Sequence, residues 1–193
     1  MANFNPAFKR TLVHEGEYVS DPRDRGGETY KGIARRRHPG WEGWARIDKA
    51  KRRRGFPASL RSDAALQAEV GNFYRRTFWE PLQGDALPDQ AIAEELFDSA
   101  VNMGLTRATE FLQRALNVLN RGGKLYADLV VDGDLGSKTL AALHAYLKKD
   151  PAELLLKVLN VLQGAHYIQL MTQSPVQEAF ARGWFKRVEI DVA

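Results

Sequence analysis

The sequence predicts a mainly α-helical protein, a helical bundle with one small β-hairpin near its N-terminus. Apolar residues recur at three- and four-residue spacing in one stretch after another. One early segment, residues 17–33, has no such period and is dense in glycine and turn dipeptides. No repeat, low-complexity tract or linker interrupts the 193 residues, which suffice to bury a real core.

The first helix is expected over 6–15. Pro6 suits a first turn, Phe8, Leu12 and Glu15 follow at helical spacing, and Gly16 is a stop. Asp21-Pro22 and Arg25-Gly26-Gly27 then mark turns, and Tyr18-Val19 and Glu28-Thr29-Tyr30 read as short paired strands around a long loop. Residues 34–57 carry basic blocks at 35–37 and 49–54, interleaved with Trp41 and Trp44, and read as short helices.

A clearer helix covers 62–79, capped by Ser62 or Asp63, with Leu66, Val70, Phe73 or Tyr74, and Phe78 inward; Pro81 ends it. Pro88 opens the next, with Ile92, Leu96 or Phe97, and Ala100 as its stripe and Gly104 after its last turn. Thr106 is the expected cap of a helix that buries Phe111, Leu112, Ala115, Leu116 and Leu119 and stops at Gly122-Gly123. Ser137 caps a helix to about Lys148, and Asp150-Pro151 starts a long one facing inward through Leu154, Leu155, Val158, Leu162 and Ala165. Trp184, Phe185 and Val188 finish the chain as an amphipathic turn. A soft boundary falls near 80–88, dividing a catalytic portion, 1–87, from a helical portion, 88–193, within one compact unit.

Composition narrows the chemistry. With no cysteine, disulfides and thiolate metal sites are excluded. The net charge of +4 favours a polyanionic partner, whether nucleic acid, anionic lipid or the bacterial wall. The first ten residues lack a signal-peptide apolar run, and no apolar stretch is long enough to span a bilayer. The expectation is synthesis in the cytoplasm, with a separate route outward if the protein works beyond the membrane.

Residues 14–33 pack acids, aromatics and glycines into a polar stretch beside an apolar helix, a composition suited to a carboxylate active site. Glycoside hydrolysis needs a carboxylic acid to protonate the leaving oxygen and, usually, a second carboxylate to activate water. The acid must be partly desolvated to stay protonated. Glu15, at the end of an apolar helix, has that context. Asp24 is the first choice for the second carboxylate and Glu28 the second choice. Gly26 and Gly27 let backbone approach a sugar ring, and Thr29 can orient a water.

Glu15-Gly16-Glu17-Tyr18, followed by Asp21-Pro22, Asp24-Arg25-Gly26-Gly27-Glu28-Thr29 and Gly32-Ile33, resembles the Glu-Gly-Gly-Tyr motif of the glycoside hydrolase family 108 N-acetylmuramidases. These are lysozyme-like proteins that include phage endolysins and secretion-linked bacterial muramidases. The similarity continues through Phe78-Trp79-Glu80-Pro81-Leu82, the block 96–104, and Gln113-Arg114-Ala115-Leu116-Asn117. Asp132-Gly133-Asp134-Leu135-Gly136 with Thr139, and Gly183-Trp184 with Arg187, resemble the family's C-terminal predicted peptidoglycan-binding region. Glu17 stands where the family usually has Gly.

The resemblance implies an α+β lysozyme-like fold and cleavage of the β-1,4 bond from N-acetylmuramic acid to N-acetylglucosamine. It makes Glu15 the catalytic acid; Asp24 and Thr29, chosen above from the residues themselves, complete the expected catalytic group. The order Glu15, Asp24, Thr29 is also similar to the Glu–Asp–Thr spacing of phage lysozymes, with the last gap one residue shorter. By that likeness the reaction inverts, which places the two carboxyls roughly 6.5–9.5 Å apart. Tyr18, Gly27, Glu28, Tyr30, Asp98 and Asn102 are the expected substrate contacts, with Asp98 and Asn102 one helical turn apart on one face. Neither cofactor nor metal is expected, and a monomer is. The partner is peptidoglycan, reached through a holin in phage lysis or through a secretion system.

Other readings are set beside this one. His14-Glu15 begins like a zinc-protease motif, but Tyr18 stands where its second histidine belongs. Asp132-Gly133-Asp134 begins like a calcium loop, but Leu143 stands where its closing acid belongs. Tyr30, Trp41 and Trp44 suit sugar stacking or core packing equally. The basic blocks suit solvated surface better than specific nucleic-acid binding, which is not expected. A non-catalytic wall-binding or secretion-helper protein on the same fold is the main alternative.

Overall fold

The computed structural model describes residues 1–13, 15–20 and 27–189. Eight α-helices and a three-stranded antiparallel sheet make up the described residues, a mainly α lysozyme-like architecture.

Helix α1 spans Phe4–Leu12 and is capped by Asn3, whose side chain accepts from the Asn5 N–H. Pro6 lies in its first turn, but Phe4, Ala7 and Thr11 form the buried stripe, one step from the expected one. The helix ends before Glu15, whose N–H donates to the Leu12 carbonyl at 3.2 Å. Glu15 therefore sits on a turn beyond the helix end.

The sheet runs β1 (Tyr18–Ser20), β2 (Glu28–Tyr30) and β3 (Ile33–Ala34). Tyr18 pairs with Tyr30, Val19 with Thr29 and Ser20 with Glu28; Tyr30 also pairs with Ile33. The expected hairpin is thus extended by a third strand. Lys31 and Gly32 make the two-residue β2–β3 turn, both at positive φ (44° and 76°), which matches the twist of the strands.

Residues 34–57, expected as short helices, contain α2 (Gly43–Lys51), and a 3₁₀ turn follows at Ala58–Ser62. Asp63 caps α3 (Ala64–Tyr74) by accepting from the Leu66 N–H at 3.0 Å. A π-helical turn over Arg75–Trp79 replaces the last expected turn. Its extra residue moves the inward position from Phe78 to Trp79, which is fully buried.

The centre of the molecule is α4 (Gln90–Met103), capped by Asp89. It packs against α1, α5 (Leu105–Leu119) and α7 (Ala152–Gln173). Thr106 is the second residue of α5 and not its cap; Gly104, at φ 91°, takes that place because no side chain suits that backbone. Likewise Ser137 is the first residue of α6 (Ser137–Leu147) and makes no cap bond.

The inner face of α7 differs most from expectation. Leu155, Leu159, Asn160, Gln163, Gly164 and Tyr167 are buried, whereas Leu154 and Ala165 face solvent. The partner decides this. Polar residues of α4 meet polar residues of α7 in step: Gln163 donates to Ser99 at 3.2 Å and the Tyr167 hydroxyl donates to Asn102 at 2.8 Å. Glu95 and Asn160, both buried, line one pocket a turn earlier. Buried polar groups need partners, so this seam sets the helix rotation that a purely apolar stripe leaves open.

The connection from 120 to 136 is held by two amides one turn apart on α5. Asn117 donates to the Leu129 carbonyl at 2.8 Å and accepts from its N–H at 2.7 Å. Gln113 donates to Asp132 Oδ1 at 2.7 Å and to the Asp134 carbonyl at 3.0 Å, and accepts from the Gly133 N–H at 3.0 Å. Asp132 also takes the Asp134 N–H, so the segment that begins like a calcium loop is a turn locked by hydrogen bonds.

Candidate active site

Glu15 is half-buried and held from a distance in sequence. Arg187, in the last turn of the described chain, donates from Nη2 to Glu15 Oε1 at 2.9 Å and from Nη1 to Asp98 Oδ1 at 2.6 Å. Arg187 and Asp98 are both buried, while the Glu15 side chain keeps 16% of its surface open. One guanidinium thus joins the end of α1, the middle of α4 and the C-terminal segment.

The other carboxylate oxygen of Glu15 lies against the β2–β3 turn. A Cβ at Gly32 would collide with it and come within 2.6 Å of the Tyr74 hydroxyl. Gly32 is therefore required twice, by its φ of 76° and by this close approach. Tyr74 donates to the Lys31 carbonyl at 2.8 Å, fixing the turn under the acid. Burial, and then the Glu15 charge, push the Tyr74 hydroxyl well above its ordinary range, so it stays a neutral donor.

The group is one guanidinium divided between two carboxylates, so Asp98 shares the cation that holds Glu15. Asp98 and Glu15, both singled out in the sequence, are brought together in this way; Asp98 is buried and acts through Arg187, not as an open groove wall. Asn102, a turn further along α4, accepts the Tyr167 hydroxyl and lines the adjacent groove.

The strand residues divide by face. Thr29, half-buried, points to the side of β2 opposite Glu28 and Tyr30. Tyr30 is fully buried; its hydroxyl accepts from Gln67 at 2.9 Å and donates to the Leu60 carbonyl at 3.4 Å. A ring so enclosed has no face to offer a sugar, so Tyr30 is a core residue and not the expected contact. Trp44 is buried as well, and Trp41 packs on Trp44 and Phe73.

Glu28 is committed elsewhere. Its carboxylate pairs with Arg35 at 2.8 Å and Lys51 at 2.7 Å, and Asp48 of α2 pairs with the same two cations. Tyr18 packs edge-on against Phe56. Burial pushes the Glu28 carboxyl up, but Lys51, Arg35 and Tyr18 outweigh it and hold it below the ordinary carboxylate range. Glu28 thus ties the hairpin to α2. Gly27, at φ 69°, packs against the Arg36 side chain, and Glu17 pairs with Arg61 at 3.3 Å. Asp24, the first choice for the second carboxylate, lies outside the described residues, as does the separation expected between it and Glu15.

A buried acid lies one turn before Asp98. Burial, and then the Asp98 charge, raise the Glu95 carboxyl to about 7. Its Oε1 finds no hydrogen-bond partner among the described residues. Beside it Arg10 pairs with Glu189 at 2.9 Å, and the Glu189 N–H donates to Asn160 at 2.6 Å. These contacts anchor the segment that carries Arg187.

Arg187 is the site residue that the residue-level reading missed. Its signal was the Gly183-Trp184…Arg187 block, but nothing in that block points to a carboxylate 172 residues earlier in the chain.

Residues 107–189 match the family described as Predicted Peptidoglycan domain, which includes Arg187. The structure of Brucella abortus SagA is similar, with a TM-score of 0.61 and 25% identity over 96% of this chain and 88% of that one. No curated protein matches the chain at a significant level. Residues 8–104, which hold Glu15, Gly32, Tyr74 and Asp98, match Glycosyl hydrolase 108, and the chain accordingly belongs to that family as a peptidoglycan hydrolase.

Proposed function

We propose that the protein is an N-acetylmuramidase that cleaves the β-1,4 bond between N-acetylmuramic acid and N-acetylglucosamine. Glu15 is the general acid that protonates the glycosidic oxygen. The observation that carries this reading is the Glu15 carboxylate itself, part open, pinned by Arg187 on one side and seated over Gly32 on the other. Such restraint holds an acid in one orientation toward a bound sugar. Asp24 is the proposed activator of the attacking water, with Thr29 orienting it, and the reaction inverts at the anomeric carbon. The protein works at the bacterial wall as an endolysin in host lysis, with a holin or a secretion system giving access.

The test is digestion of purified peptidoglycan by the wild type and by Glu15→Gln, with mass spectrometry of the products. New reducing muramic acid ends from the wild type and none from a folded variant are expected. Glucosamine or anhydro ends, or clearing that survives the substitution, overturn the assignment. Proton NMR of the first-formed anomer tests inversion separately.

A further inference from the structure

Next to Arg187 the chain forms a groove of about 470 Å³, lined by Val13, Asn102, Phe180, Trp184, Lys186 and Arg187. It opens where the end of α1 and the end of α4 meet the C-terminal turns. Its volume falls within the range of pockets that enclose small ligands. Arg187, one of its lining residues, also holds Glu15.

One wall is an aromatic stack with an inside and an outside. Tyr167, fully buried, stacks on Trp184 at 5.0 Å and 20°, and Trp184 on Phe180 at 5.8 Å and 27°. Phe180 is the outermost ring and is 54% exposed. Unlike a singly exposed apolar side chain, this ring is braced by two rings behind it. The π face is electron-rich, and the axial C–H faces of a pyranose are electron-poor, so the two match. Lys186, an exposed cation on the same rim, adds a charge that a neutral sugar does not need.

We propose that this groove is a saccharide subsite of the glycan strand, with Phe180 stacking on a sugar ring and Lys186 pairing with a carboxylate of the stem peptide attached to it. The proposal rests on the muramidase reading above and adds that the C-terminal segment contributes to substrate binding directly. It also gives that segment two duties: Arg187 faces the acid while its neighbours hold the strand. Neither Phe180 nor Lys186 touches Glu15, so their loss bears on binding and leaves the chemical step in place.

The experiment compares Phe180→Leu, Phe180→Tyr and Lys186→Ala with the wild type on two substrates, glycan strands that carry stem peptides and strands stripped of them by an amidase, with the freed lactyl carboxylates then capped as methylamides. Phe180→Leu is expected to raise KM about tenfold on both substrates with kcat little changed. Phe180→Tyr, which keeps the ring, is expected to restore the wild-type value. Lys186→Ala is expected to raise KM only for the peptide-bearing strands, and added salt to erase that difference. If Phe180→Leu keeps the wild-type KM, or Phe180→Tyr fails as badly as Phe180→Leu, stacking is overturned. If Lys186→Ala affects both substrates alike or neither, the carboxylate contact is overturned. Unchanged kinetics in all variants, with Glu15→Gln inactive, removes the subsite and leaves the muramidase assignment standing.

Discussion

Arg187 reaches Glu15 at 2.9 Å from the far end of the chain, and the same guanidinium holds Asp98 at 2.6 Å. The acid of the first family segment is therefore oriented by a cation of the second.

That pairing makes Arg187 costly to remove. Arg187→Met leaves Asp98 buried and charged without a partner, a situation worth about 3–5 kcal/mol of stability. Urea unfolding at neutral pH is expected to show that loss, with peptidoglycan digestion falling as well. Adding Asp98→Asn should recover much of the stability but not the activity, because Glu15 is still unpinned. Full activity in the double variant contradicts the positioning role.

Gly32→Ala places a methyl group against the Glu15 carboxylate and the Tyr74 hydroxyl, at a backbone φ of 76°. The strain is of order 1–3 kcal/mol. Since the methyl group displaces the acid directly, kcat is expected to fall further than the melting temperature suggests. Thermal unfolding and turnover measured on the same sample check this; unchanged turnover refutes it.

Stability should fall as pH rises through the weakly acidic range, because of Glu95. Its carboxyl ionises near its ordinary 4.5 when unfolded but only at about 7 when folded. Burial and Asp98 are the causes, with Glu189 adding to them and Arg10 and Asn160 opposing. Between those values the unfolded chain gains charge that the folded one refuses, a loss of about 3 kcal/mol that levels off above pH 7. Glu95→Gln removes the titration, so its stability is expected to change less between pH 5 and pH 8. Parallel curves for the two proteins sink the assignment.

Glu28 has the opposite sign. Its carboxyl lies below the ordinary 4.5, so the stability it contributes is present above that value and is lost as pH falls through the lowered one. Glu28→Gln breaks the pairs with Arg35 and Lys51 at a cost of about 1 kcal/mol. Faster amide exchange at Tyr30 and Arg35, with no change at α5, is the expected signature. Exchange that stays slow there means that the hairpin does not depend on this cluster.

Chain order and periodicity were enough to place the helices over α3 to α7 and the excursion into strands, and the motif around residues 14–33 singled out Glu15 as the acid. Those features depend on neighbours within a turn or two, and a repeating apolar pattern or a dense run of turn residues records them locally. Caps were legible to within a residue or two: Asp63 serves as expected, while Gly104 and Gly136 displace Thr106 and Ser137.

Packing between distant segments decided the rest. The face of α7 follows Ser99 and Asn102 of α4, since buried polar groups must find each other and apolar ones accept many neighbours. The π turn before Glu80 exchanged Phe78 for Trp79 in the core. Glu28 and Tyr30 read as site residues in a line of text, but alternation on β2 turned both away from Thr29, into an ion cluster and into the core. Arg187 is the clearest case. A charge records nothing of its partner along the chain, and only folding brings one guanidinium between a carboxylate on the turn after α1 and another on α4, and thereby fixes where the acid points.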